Sequence, residues 1–205
     1  MNCAVFASGG GSNFQALIDR VKSGDLHANL AVLIVNNSKV TAVDRARVNG
    51  IPVEHMAPSR FEREEEYTAT LKRCLIKYQV ELIVLAGYMK KLPSEIVQEY
   101  SNRIINIHPA LLPAFGGKGM YGSHVHEAVC ASGAKVTGVT IHFVDDEYDQ
   151  GPIIFQDVIK VMDDDTPQSL AARVLVLEHD SYWKVVEAIA AGRIRVENRK
   201  VFGEV

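Results

Sequence analysis

Short apolar runs alternate with stretches of helical periodicity through roughly the first half of the chain, and few folds accommodate that rhythm. Residues 3–7 read as a buried strand and lead into Gly9-Gly10-Gly11-Ser12-Asn13. Phe14, Leu17, Ile18 and Val21 then recur at helical spacing, and Gly24 is placed to stop that helix. Residues 29–35 predict a second strand, 40–49 a helix closed by Gly50, and 51–55 a short third strand. Residues 63–78 predict a longer helix, with Glu64, Glu65 and Glu66 near its start, where the helix dipole favours negative charge. Residues 81–86, 93–100 and 103–107 follow as strand, short helix and strand. Strands alternating with helices imply right-handed βαβ units, hence the α/β class: a doubly wound, mostly parallel sheet with helices on both faces.

The second half reads differently. A Gly-rich segment, 111–123, leads to a helix over 126–131. Runs 136–144 and 153–161 are β-rich, and the acidic, turn-like link between them predicts an antiparallel extension of the sheet. A long helix over 168–191 precedes a short ribbon, 193–196 and 200–202, across Glu197-Asn198-Arg199. One domain with two sub-regions, about 1–108 and 109–205, is the economical organisation for 205 residues.

Composition excludes several classes. With 47% hydrophobic and 23% charged residues the chain is neither disordered nor a disulfide scaffold. A net charge of −3 speaks against a nucleic-acid partner. The longest aliphatic run, 30–35, is far short of the ~20 residues that span a bilayer, and the start lacks the basic region of a signal peptide. Three widely spaced cysteines, Cys3, Cys74 and Cys130, fit a reducing cytoplasm.

Strand, glycine turn, helix is a layout for binding an anion: glycines let backbone N–H groups approach it, and the helix N-terminus adds donors and partial positive charge. Ser12 and Asn13 can add side-chain donors. The loop has no P-loop lysine, Phe14 replaces the third glycine of the dinucleotide fingerprint, and the second strand ends in Asn36-Asn37 rather than an acid. A phosphate monoester remains, against the plainer alternative of a tight turn capped by Ser12.

The fifth strand ends in Asn106-Ile107-His108-Pro109. Residues two apart on a strand share a face, so Asn106 and His108 can converge at the carboxyl edge, where open α/β sheets bind ligands. An amide beside an imidazole can stabilise an oxyanion, and a nearby carboxylate would raise the histidine pKa and keep it protonated. Asp145, Asp146, Glu147 and Asp149 supply candidate carboxylates, although such acidic runs are usually solvated turns.

Val84-Leu85-Ala86-Gly87-Tyr88-Met89, the run from Asn106 to Pro113 (Asn-Ile-His-Pro-Ala-Leu-Leu-Pro), His142-Phe143-Val144 and Asp149-Gln150-Gly151-Pro152 together resemble the formyltransferases that use 10-formyltetrahydrofolate. The N-terminal glycine turn and the chain length point to the branch that acts on glycinamide ribonucleotide in purine biosynthesis. The resemblance implies a formyltransferase fold, with Asn106, His108 and Asp149 as the catalytic trio. It implies Gly11, Ser12 and Asn13 for the phosphate and Glu178 for the ribose. It implies Met89, Lys90, Lys91, Leu92, Asn106 and Asp145 for the folate. The family's arginine three residues beyond the aromatic at Phe61 is Glu64 here, leaving Arg63 or the Lys90-Lys91 pair to meet the folate tail. The implied partners are small molecules, with no metal, nucleic acid or membrane, for a cytoplasmic monomer or weak homodimer. Relatives that hydrolyse formyl-folate or formylate charged tRNA carry extra domains, for which 205 residues are expected to leave no room.

His124, His126 and Cys130 lack metal-site spacing, and no Cys-x-x-Cys or His-Glu-x-x-His pattern supports zinc. Gly116-Gly117-Lys118-Gly119 reads as a mobile loop, and Tyr182, Trp183 and Val185 as core.

Overall fold

Runs that are apolar at every position, rather than at alternate ones, become strands covered on both faces. The computed structural model describes residues 1–205 and divides them into two units, Met1–Ile105 and Asn106–Val205. In the first, β1 (Asn2–Ala7), β2 (Asn29–Val35) and β4 (Leu82–Leu85) are such runs, with β3 (Val53–His55) at the outer edge. β1 pairs parallel with both β2 and β4, and β2 pairs parallel with β3. The order is β3-β2-β1-β4-β5, where β5 (Ile104–His108) begins in this unit and runs on into the second.

The connections are α1 (Ser12–Ser23), α2 (Thr41–Val48), α3 (Glu64–Lys77) and α4 (Ser94–Glu99). α1 buries Phe14, Leu17 and Ile18, the stripe predicted from their spacing. It ends at Gly24, whose φ of 83° lets its N–H reach back to the Arg20 and Val21 carbonyls. α2 and α3 are each shorter by one residue at both ends than their periodicity predicts, as fraying ends often are. A 3₁₀ turn at Pro58–Arg60 is not visible in the apolar pattern. β5 extends one residue further than predicted, so His108 is still strand, and Pro109 ends it for lack of an N–H.

In the second unit the order is β5-β6-β7. β6 (Val136–Phe143) and β7 (Ile153–Lys160) form the predicted antiparallel pair, in register from Val136 opposite Lys160 to Ile141 opposite Phe155. α5 (Ser123–Ser132) starts three residues earlier than its apolar residues indicate, because its first turn is polar. α6 (Pro167–Ala190) begins with proline and a reciprocal Thr166–Ser169 capping box. Its Leu170 and Val174 are fully buried with Val129 and Val139, the core of this unit. β8 (Arg195–Glu197) and β9 (Lys200–Phe202) form the predicted terminal ribbon. No helix is long and apolar enough to cross a membrane.

Candidate active site

Four polar side chains gather in the second unit: Asn106 and His108 from β5, His142 from β6, and Asp149 from the loop after it. His142 stands where the β6–β7 register slips, with His142 opposite Ile153 and Ile154 skipped. A bulge of this kind bends its strand and re-aims a side chain. Asp149 adopts a left-handed backbone, φ 57°, which Asp tolerates better than most residues.

The contacts form a chain. Asn106 Nδ2 donates to His142 Nε2 at 3.2 Å. His142 Nε2 lies 3.6 Å from Asp149 Oδ1, and Asp149 Oδ2 lies 3.7 Å from His108 Nδ1. These two separations are ion-pair distances rather than direct hydrogen bonds. The outer partners assign the tautomers. His142 Nδ1 donates to the Phe143 carbonyl at 2.8 Å, which leaves Nε2 to accept from Asn106. His108 Nε2 donates to the Phe115 carbonyl at 2.8 Å, which turns Nδ1 toward Asp149. The Gly117 N–H donates to Asp149 Oδ2 at 2.8 Å. A side chain on the preceding Gly116 would press on the Leu112 side chain and stand 3.3 Å from the Asp149 Cβ, so this turn runs close against Asp149.

Burial decides the charge on the central imidazole. His108 is 3% exposed, and desolvation lowers its pKa more than the Asp149 carboxylate and the Phe115 carbonyl raise it; His142 lowers it further. The expectation that Asp149 keeps His108 protonated is therefore corrected: at neutral pH the resting imidazole is neutral. Asp149 behaves in the opposite way. Burial would raise its carboxyl, but the His142 ring, the Gly117 N–H and the nearby His108 together hold it below the usual carboxylate range. His126 is buried beside this cluster and is also lowered, by burial first and then by His108.

The first unit contributes a different surface. Gly11, with φ 68°, caps α1, and Ser12 is the first helical residue rather than the cap. A Cβ on Gly11 would lie 2.8 Å from the Ala42 Cβ, so α2 packs against the turn where only glycine fits. Arg45 of α2 holds the turn from behind, Nε donating to the Gly10 carbonyl at 2.8 Å and Nη1 to Gln15 Oε1 at 3.1 Å. The loops after β1 and β4 are fastened together. Ser8 N–H donates to the Gly87 carbonyl at 3.1 Å, and Met89 N–H to Ser8 Oγ at 2.8 Å. Met89, Lys90 and Lys91 are exposed there, whereas Leu92 is core, so only its backbone is available to a ligand.

Other predicted residues are engaged locally. Arg63 pairs with Glu66, Nη2 to Oε1 at 2.7 Å. The Asp145 carboxylate accepts from the Glu147 N–H and from Arg199. Glu178 lies half-buried on α6. His142 and Arg45 were not among the predicted site residues. His142 stood only inside a quoted motif, and Arg45 lies on a helix with no motif at all. No group of three or more His, Cys, Asp or Glu side chains is arranged to hold a metal ion.

Similarity to known proteins identifies the family. A phosphoribosylglycinamide formyltransferase of Bacillus subtilis is 38% identical over 91% of this chain and 93% of its own length. The chloroplastic phosphoribosylglycinamide formyltransferase of Vigna unguiculata is 48% identical over 93% of this chain, which spans only 61% of that longer protein. The crystal structure of glycinamide ribonucleotide transformylase 1 from Symbiobacterium toebii superposes with a TM-score of 0.93 at 35% identity, covering 100% of this chain and 94% of that one. The formyl transferase family matches residues 1–186, most of the chain, and this chain belongs to it.

Proposed function

We propose that this chain transfers a formyl group from 10-formyltetrahydrofolate to the primary amine of glycinamide ribonucleotide, a step of purine biosynthesis. The reading rests above all on the buried Asn106–His142–Asp149–His108 cluster, which brings an amide donor, an imidazole and a carboxylate together. The names of the similar proteins support the substrates.

Each unit has its own part. In the first, the glycine turn and the start of α1, with Gly11, Ser12 and Asn13, take the phosphate of the ribonucleotide. Met89, Lys90 and Lys91 meet the folate, aided by the Leu92 backbone. In the second, Glu178 takes the ribose and the 145–149 loop flanks the pterin. The amine attacks the formyl carbon, and negative charge develops on its oxygen. Asn106 spends one N–H on His142 and has a second to give that oxygen. His108 arrives neutral with a proton on Nε2, and gives that hydrogen bond to the oxyanion in place of the Phe115 carbonyl. Asp149, ionised, takes the proton that the attacking amine sheds and returns one to the departing folate nitrogen. No covalent enzyme intermediate is needed, because the amine is the nucleophile. Holding two substrates in reacting geometry supplies much of the acceleration. The protein works in the cytoplasm on small molecules, as a monomer or weak homodimer.

The test mixes purified protein with 10-formyl folate, with and without glycinamide ribonucleotide, and follows deformylated folate by absorbance. Release that depends on the ribonucleotide is the expected result. Release without it makes the chain a hydrolase, and no release in either case makes it a binding module.

A further inference from the structure

The terminal ribbon lies beyond residue 186, where the family match ends, yet it reaches the loop that carries Asp149. Arg199 Nη2 donates to Asp145 Oδ2 at 3.0 Å and to the Gln150 carbonyl at 2.7 Å, so one guanidinium joins the two ends of the 145–150 loop. The other Asp145 oxygen accepts the Glu147 N–H at 3.0 Å, bracing the same turn from inside. The neck of the loop is already closed: Phe143 N–H donates to the Pro152 carbonyl at 2.9 Å, and a side chain on Gly151 would run into the Phe143 carbonyl. Beyond that neck, Asp149 keeps its left-handed φ of 57°, a conformation that surrounding contacts must hold.

Arg199 is itself in a costly conformation. Asn198 and Arg199 form the two-residue turn between β8 and β9 with φ 50° and 62°. Glycine is the favoured second residue of such a turn. An arginine accepted there is retained at a conformational cost, and its guanidinium is spent on the loop. A groove of about 480 Å³ separates residues 150–153 from residues 199–202. The guanidinium bridges that groove to reach Asp145 and Gln150.

We infer that Arg199 is a positioning residue: by clasping Asp145 and Gln150 it fixes the loop, and so holds the Asp149 carboxylate against His108 and His142. Its consequence for turnover rests on the formyl-transfer reading; the clasp itself does not. With the side chain 66% exposed, the contact is open to solvent and salt, so its effect is graded rather than all-or-none.

Three variants of the full chain test it: Arg199→Ala, Arg199→Lys, and Lys200→Ala as a control for charge at the same turn. In the substrate-free protein, hydrogen exchange of amides 145–151 is expected to speed up about fivefold in Arg199→Ala while β6 is unchanged, an opening on the scale of a lost exposed hydrogen-bonded pair. Arg199→Lys restores most of the protection and Lys200→Ala alters none. By NMR, the His108 imidazole of Arg199→Ala titrates at lower pH than wild type, because the carboxylate that raises it is no longer held; His142 and His126 face the same ring and are followed alongside. In turnover, kcat falls about three- to tenfold with the ribonucleotide KM unchanged, as for a positioning residue rather than a ligand. Wild-type exchange and titration in Arg199→Ala overturn the clasp, and a loosened loop with unchanged kcat overturns its positioning role. A wild-type protein that transfers no formyl group refutes the function, while exchange and titration still decide the clasp.

Discussion

The two units present chemistry by different means. In the first, buried parallel strands end in turns: the glycine loop after β1, which presents backbone N–H donors at the start of α1, and the Gly87–Met89 turn after β4, which is fastened to Ser8 and presents exposed Met89 and Lys90. In the second, the end of β5, the bulged β6 and the long loop after it present side chains, Asn106, His108, His142 and Asp149, the two histidines buried. Backbone donors on a rigid sheet edge suit an anion whose charge is the same throughout a reaction. A buried side-chain cluster suits a step in which charge develops and protons move, because burial sets pKa values that an open turn leaves alone. Damage to the first unit should therefore appear in substrate affinity, and damage to the second in turnover and its pH dependence.

The sharpest break is His108→Ala. Losing an oxyanion donor lowers kcat by about 10²–10³, while the ribonucleotide KM stays within about twofold. Steady-state kinetics that show the reverse, a large KM rise with kcat retained, would move the chemistry out of the second unit.

Asp149→Asn comes next, with kcat reduced about a hundredfold as proton transfer is lost. The carboxylate raises the His108 pKa against burial, so its removal lets that pKa fall further, and the acid limb of kcat/KM moves to lower pH. Stability shows the same signs. Both groups have depressed folded values, so the unfolded chain binds their protons more readily. The His108 contribution is full above about pH 6.5, the Asp149 contribution is full above about pH 3.9, and each fades as pH falls through the folded value. Denaturant melts of Asp149→Asn should therefore lose more stability than wild type as pH falls below about 6.5, where the His108 pKa has dropped further, and should lack the additional loss below about pH 3.9 that Asp149 causes in wild type.

Gly11→Ala addresses the first unit. The added Cβ meets Ala42 and the φ of 68° is unfavourable for alanine, at a stability cost of about 1–2 kcal/mol. The ribonucleotide KM is expected to rise about tenfold with kcat nearly unchanged, the pattern of lost uniform binding. A fall in kcat alone would erase the distinction between the units.

The smallest effect concerns the folate tail. Arg63 is exposed and already paired with Glu66, so Arg63→Ala should shift the folate KM by less than about twofold. Lys90→Ala should raise it several-fold; equal effects would show that Glu66 does not withhold Arg63.

Much of the scaffold was legible in the residues. The β2 boundaries match the apolar run 29–35, and the α1 stripe and its Gly24 stop follow from spacing alone. The Asn106–His108 pair was legible because strand periodicity and Pro109 leave few alternatives. His142 was harder to read, since its role depends on a bulge set by pairing with a strand that starts eleven residues later. Arg45 and Arg199 act on backbone far away in sequence, on Gly10 and on Gln150, and no local pattern marks such a reach.

The order of apolar runs, helix periods, glycines and prolines determined the α/β architecture, the antiparallel extension and the identity of the strand-borne pair, because those depend on local propensity and on which faces must be buried. Tertiary structure alone decided which carboxylate meets which histidine, that Leu92 is core, and that His108 rests neutral despite the acid beside it. Those outcomes depend on desolvation and on distances between residues remote in the chain, and neither quantity exists until the chain has folded.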